Sequence, residues 1–169
     1  VGMRRRPPRS TLCPDTALFR SHGQLADEIR TDPRVTAYEH LNVRDLTLDH
    51  VDQVPVELVV GDLSFISLIM VLPALTAVTD PTGSLLLMVK PQFEVGRERL
   101  GDGGVVRDPA LHAAAVTGVV EAAADLGWRT QAVVPSRLPG PSGTREFFVH
   151  LPASKPVRPV DVAAALATP

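Results

Sequence analysis

Two apolar runs in this chain end abruptly on a charge. Residues 56–60 lead through Gly61 to Asp62, and residues 85–89 lead directly to Lys90. In a parallel α/β sheet the strand bodies are buried and ligands sit outside the carboxyl ends. A carboxylate and an amine at two neighbouring strand ends therefore read as an ion pair in a cleft, where chemistry is expected. A buried amine can take a proton, because desolvation favours its neutral form, and a charged one can stabilise a developing oxyanion. The plainer reading stands beside this one: Lys90 extends to solvent along an apolar surface, and Asp62 caps the helix that follows it.

The rest of the pattern supplies the frame. A short amphipathic helix is predicted over 24–30, stopped by Asp32-Pro33, with a strand over 35–40 and a turn over 42–45. Residues 56–60 read as a buried strand, 68–78 as a buried helix, 80–83 (Asp-Pro-Thr-Gly) as a turn and 84–89 as a second buried strand. A charged, glycine-containing loop fills 94–107. Asp108-Pro109 then opens a helix, with a core face of Leu111, Ala115, Val119, Ala122 and Leu126, and Gly127 ends it. Strands over 129–134 and 146–151 close the domain as a hairpin joined by a proline-stiffened loop. The alternation predicts an α/β fold, mainly parallel, with one antiparallel strand. Residues 1–21, rich in Arg and Pro and without clear period, read as poorly ordered or unrelated basic sequence. The domain proper is placed at 22–152, and 153–169 as a tail with a weak terminal helix.

The 169 residues are 44% hydrophobic and 21% charged, enough for one domain with a real core. A formal net charge of −2 argues against a module that holds nucleic acid by charge alone, although clustered basic groups still allow a structured RNA. A single cysteine, Cys13, excludes an intrachain disulfide and fits a reducing compartment, so the chain is expected in the cytoplasm. No run reaches the roughly 18–20 apolar residues of a membrane span, and no strongly cationic amphipathic helix supports a pore-forming toxin. His22, His40, His50, His112 and His150 lack metal-ligand spacing, so no metal is expected.

Several short runs together resemble one family. They are Gly23-Gln24-Leu25, Asp32-Pro33-Arg34-Val35, Asn42-Val43-Arg44, Asp62-Leu63-Ser64-Phe65-Ile66-Ser67-Leu68 and Val89-Lys90-Pro91-Gln92-Phe93-Glu94. Gly103-Gly104-Val105-Val106-Arg107-Asp108-Pro109 and Leu138-Pro139-Gly140-Pro141-Ser142-Gly143, ahead of Glu146, complete the set. The pattern is similar to the TlyA family, hemolysin-like ribosomal RNA 2′-O-methyltransferases with an FtsJ-like catalytic domain, and matches its C-terminal portion. The resemblance implies a Rossmann-like sheet and methyl transfer from S-adenosylmethionine to a ribose hydroxyl of ribosomal RNA. It also implies a Lys–Asp–Lys–Glu tetrad, whose last three members fall on Asp62, Lys90 and Glu146. Relatives carry an earlier first lysine, a first strand with a glycine-rich cofactor loop, and an acidic residue ending the second strand. Here the glycine-rich run is missing and the acidic position falls near Phe19, so the sheet is expected to be incomplete at its N-terminal strands. That leaves the edge of the Asp62 strand open and solubility marginal. Residues 1–21 would then be foreign to the domain, from a shifted reading frame or a misplaced start.

Within that resemblance Lys90 is the group expected to assist the hydroxyl, Asp62 to orient it beside the methyl donor, and Glu146 to fix the lysine or the ribose. Asn42 either hydrogen-bonds a cofactor adenine or simply serves a turn. Phe93 either stacks a base or belongs to the core. Arg97, Arg99 and Arg107 face RNA phosphate or form a solvated mixed-charge loop with Glu94, Glu98 and Asp108. Residues 101–104 (Gly-Asp-Gly-Gly) do not open a helix as a phosphate-binding loop would, and read as a loop over the site. Arg4, Arg5, Arg6 and Arg9 read as a basic tail. The alternative function is a truncated, non-catalytic remnant that binds RNA or a partner.

Overall fold

The computed structural model describes residues 2–4, 15–19, 25–140, 143–153 and 160–167, the first two stretches by backbone alone. Seven strands form one sheet in the order β3-β2-β1-β4-β5-β7-β6. They are β1 (Gly2–Arg4), β2 (Asp15–Phe19), β3 (Val35–Glu39), β4 (Val56–Asp62), β5 (Thr79–Val89), β6 (Ala132–Pro135) and β7 (Phe147–Pro152). The helices are α1 (Asp27–Arg30), α2 (Leu68–Ala77), α3 (Pro91–Glu94), α4 (Pro109–Asp125) and α5 (Val162–Leu166).

β2 with β3 and β4 with β5 pair in parallel, as the strand–helix–strand alternation requires. β7 is the antiparallel strand expected from the closing hairpin, lying between β5 and β6. β1 is a second strand that runs against its neighbours, pairing with both β2 and β4. It corrects the expectation of an open β4 edge: Leu58, Val59 and Val60 are paired by Arg4, Met3 and Gly2. Main-chain pairing needs no side-chain period, so the Arg- and Pro-rich composition did not reveal it. Arg5, Arg6, Arg9 and His22 lie outside the described residues.

The predicted turn at 80–83 is absorbed into β5 as an irregularity. Val56 pairs with Thr79 and Leu58 with Ser84, so β5 carries extra residues there. Asp80 Oδ1 accepts from Thr82 N and Thr82 Oγ1, both at 2.7 Å, and closes the bulge locally.

The core lies on one side of the strands. Leu85, Leu87 and Val89 are fully buried, whereas Ser84, Leu86 and Met88 are half-buried. Val149, Leu151 and Phe147 repeat the alternation in β7. The strands expected to be buried throughout are thus covered closely on one face. Against that face pack Leu68, Val71, Leu72 and Leu75 of α2 and Ala115, Val116, Val119 and Ala123 of α4.

α2 starts where Ser67 caps Ile69 N at 3.2 Å, and Pro73 sits inside it. α4 begins as read from the sequence, with Asp108 Oδ1 accepting from Ala110 N at 2.8 Å and Pro109 at its first position. Its buried face is His112, Ala115, Val116, Val119 and Ala123, one position away from part of the predicted stripe, and Leu126 is exposed. In so alanine-rich a helix several faces are nearly equally apolar, and His112 is drawn inward by bonds it makes there. Its Nε2 lies 2.8 Å from the Val106 carbonyl, which accepts from it, and its ring packs 5.6 Å from that of Phe147.

Candidate active site

β4, β5 and β7 are consecutive in the sheet, and this order gathers the charges. β4 and β5 run in the same direction, so Asp62 and Lys90 emerge at one rim. β7 is antiparallel, so its beginning lies at that rim, where Phe147 pairs with Val89. Glu146 immediately precedes it and continues the hairpin ladder, its carbonyl accepting from Ser136 N at 2.8 Å. Lys90 therefore stands between two carboxylates that are 84 residues apart in the chain (146 − 62).

The heads converge. Lys90 Nζ lies 2.7 Å from Asp62 Oδ1 and 3.8 Å from Glu146 Oε1, and donates to Ser64 Oγ at 3.2 Å. The Lys90 and Glu146 side chains are 11% and 8% exposed, while that of Asp62 is 64% exposed. The cluster is thus sealed on the Glu146 side and open on the Asp62 side. At 3.8 Å the Glu146 contact is Coulombic and too long for a hydrogen bond. Oε1 is accordingly a buried acceptor without a hydrogen-bond donor. Gly140 roofs this pocket: a Cβ there would come within 2.3 Å of Thr144 Oγ1 and 2.6 Å of Glu146 Oε1. A side chain at 140 would have to displace Thr144 Oγ1 and the Glu146 carboxylate.

Asn42 lies outside this cluster. Its Oδ1 accepts from Arg44 N at 3.1 Å and caps the helical turn Val43–Asp45, which favours the turn reading for that oxygen. Phe93 is half-buried and packs against Phe65, with centroids 5.3 Å apart. Phe65 is the aromatic residue that sequence reasoning passed over. It is 79% exposed, with a left-handed backbone at φ 64°. Its only sequence signal was its place in the turn after Asp62. Arg97, Arg99 and Arg107 are exposed, and Arg99 pairs with its neighbour Glu98.

Glu94 also stood in the loop read as solvated, and it is instead half-buried against α2. Its carboxylate accepts from Ser67 Oγ at 2.6 Å and Leu68 N at 2.8 Å. Burial pushes the Glu94 carboxyl above its ordinary value of 4.5, against the lowering effect of these bonds. A carboxyl raised in the folded state gives stability that is complete below its ordinary value and is lost as pH rises through the raised one. The melting temperature of Glu94→Gln relative to the native chain should therefore be higher at pH 7 than at pH 4. A gap that is the same at both pH values would refute this.

The comparisons agree with this architecture. The profile of the FtsJ-like methyltransferase family matches residues 17–152. The chain is 49% identical over 130 residues to the 16S/23S rRNA (cytidine-2′-O)-methyltransferase TlyA of Mycobacterium tuberculosis, covering 77% of this chain and 48% of that protein. Among solved structures, a Lactococcus lactis protein assigned as a hemolysin superposes with TM-score 0.82 at 34% identity, over 89% of this chain and 74% of that one. A Streptococcus thermophilus protein assigned likewise gives TM-score 0.81 at 31% identity, over 90% of this chain and 56% of that one. The chain spans about half the length of the TlyA relative it matches. No helix among the described residues is long and apolar enough to cross a membrane. With its sheet order, its rim of charges and these matches together, the chain belongs to the FtsJ-like methyltransferase family, in the TlyA and hemolysin branch.

Proposed function

We propose that this chain is the catalytic portion of an S-adenosylmethionine-dependent enzyme that methylates ribose 2′-hydroxyls of ribosomal RNA. The observation that carries the reading is the Lys90 amine, enclosed between Asp62 and Glu146 at the carboxyl rim of the sheet. A ribose hydroxyl is a poor nucleophile until its proton is removed or its developing charge is matched. Lys90 is the group within the rim that does either. Glu146 Oε1, buried 3.8 Å from Lys90 Nζ, matches the charge of the amine from the closed side and so fixes the lysine. Asp62 holds Lys90 from the solvent side, where a methyl donor would approach. Phe65 offers an exposed ring three residues beyond Asp62, a surface on which an unstacked base can rest.

The donor side is less complete. β1, the strand beside β4, runs the wrong way for a cofactor cradle: its carboxyl end, Arg4, pairs with Leu58, four residues back from Asp62. Among the described residues no strand-to-helix turn from β1 brings backbone N–H groups to the rim, and β2 ends on Phe19 rather than on a carboxylate. The described backbone of β1 and β2 does not fit the methionine half of S-adenosylmethionine. This favours a second reading, a remnant that binds RNA or a partner without turnover.

Calorimetric titration of the 169-residue chain with S-adenosylmethionine is expected to give a dissociation constant weaker than about 100 μM, or no heat at all. Micromolar affinity would overturn the expectation of an impaired donor site. Methyl incorporation into ribosomal RNA at millimolar donor decides between the two readings: incorporation at the ribose supports the enzyme, and none supports the remnant.

A further inference from the structure

We infer that Glu94 is a positioning residue that holds Asp62 against Lys90. This rests on the enzyme reading given above for its purpose, and on geometry alone for its existence.

The segment between Asp62 and α2 is five residues long, and its centre is strained. Phe65 occupies the left-handed region at φ 64°, which a bulky side chain adopts only where the surroundings impose it. One end of the segment is fixed by the β4 ladder. The other end is fixed by Glu94. Each of its carboxylate oxygens takes one donor, Ser67 Oγ at 2.6 Å and Leu68 N at 2.8 Å, on successive residues at the start of α2. Ser67 in turn accepts from Ile69 N, so the hydroxyl that caps the helix is itself oriented by Glu94.

Glu94 lies four residues after Lys90, and the turn between them is stiff. Pro91 is buried at the first position of α3, Phe93 N donates to the Lys90 carbonyl at 2.9 Å, and Val95 N donates to the Pro91 carbonyl at 3.1 Å. Movement of Glu94 is therefore movement of the Lys90 backbone. The Phe65 and Phe93 rings touch across the same two segments. The segment after β4 and the segment after β5 are thus joined twice beyond the rim. The contacts of Lys90 Nζ with Asp62 and Ser64 lie inside that closed ring. A helix cap alone does not require this arrangement, because Ser67 already caps Ile69 without burying a second carboxyl group.

The test reads the Lys90 amine directly, without turnover. Competitive acylation of the whole chain with acetic anhydride, followed by peptide mass spectrometry, reports Lys90 with Lys155, the other lysine of the sequence, as internal reference. Glu94→Ala should free the Asp62 side of the pair and raise Lys90 acylation at pH 8 by about fivefold, the worth of a partly exposed ion pair. Glu94→Gln keeps an acceptor and a donor in the same place and should stay within about twofold of the native chain. A purely structural role would lower the melting temperature of Glu94→Ala and leave Lys90 unchanged. An unchanged ratio of Lys90 to Lys155 overturns the inference, as does a Glu94→Gln variant that labels as fast as Glu94→Ala. Should Glu94→Ala fail to fold, Ser67→Ala decides: it removes one of the two bonds, and Lys90 labelling should still rise by about twofold or more. No rise in Ser67→Ala rejects the proposal. Absence of methyl transfer in every assay would count against the enzyme reading and leave this result standing. Flat labelling would do the reverse.

Discussion

On the enzyme reading, replacing Lys90 by methionine is expected to lower the methylation rate by about 10²–10⁴-fold at millimolar donor, the range for losing a positioned proton-transfer or charge-stabilising group. Saturating donor separates this loss in kcat from any weakness in binding. The same substitution has a second consequence that marks its cause. Glu146 is buried and Lys90 is its cationic neighbour at 3.8 Å, so removing the amine leaves a carboxylate uncompensated in a closed pocket. That costs about 3 kcal/mol at neutral pH, the lower end for a broken buried pair because the Asp62 side is open. Adding Glu146→Gln to Lys90→Met should recover most of this stability in urea unfolding and none of the rate. Normal turnover by Lys90→Met would remove the lysine from the mechanism. A double variant no more stable than the single one would show that Glu146 does not need its charge matched.

The largest effect on stability is expected from Phe147→Ala, at about 3–5 kcal/mol. Phe147 is 1% exposed and occupies the junction of the fold with the rim. Its backbone pairs with Val89 on one side and Pro135 on the other, and its ring meets His112 of α4. Truncation opens a cavity between β7 and α4 next to Glu146. Urea unfolding should show a lower midpoint with an unchanged slope, as for a weaker but equally compact fold. A loss under about 1 kcal/mol would mean that α4 collapses into the space.

The parts of this architecture that were legible in the sequence are those written in local pattern. The β4 and β5 strand bodies, their terminal charges, and the capped start of α4 at Asp108-Pro109 are all carried by adjacent residues. Glu146 was not legible in that way. It follows a loop of glycines and prolines, and only the family resemblance singled it out. What escaped notice depends on residues far apart. The Glu94 bonds to Ser67 and Leu68 span more than two dozen positions and leave no periodic trace. The left-handed backbone of Phe65 contradicts the preference of its own side chain, so no local rule proposes it. The inward turn of His112 is decided by the Val106 carbonyl it meets, not by its place in an alanine-rich helix. β1 was hidden for a different reason, because strand pairing asks only for backbone, and its three residues carry no apolar alternation.

The strand order has a further bearing on how reactivity first arises. Two members of the rim come from β4 and β5, joined by one helix, whereas the third waits for β7, which follows the whole of α4 and β6 in the chain. A growing or half-assembled polypeptide can thus pair its first carboxylate with the amine long before the second arrives. Until the last strand threads between its two neighbours, the amine stays wet on one flank. Completion of the topology and closure of the charged cluster are, on this geometry, one event in time.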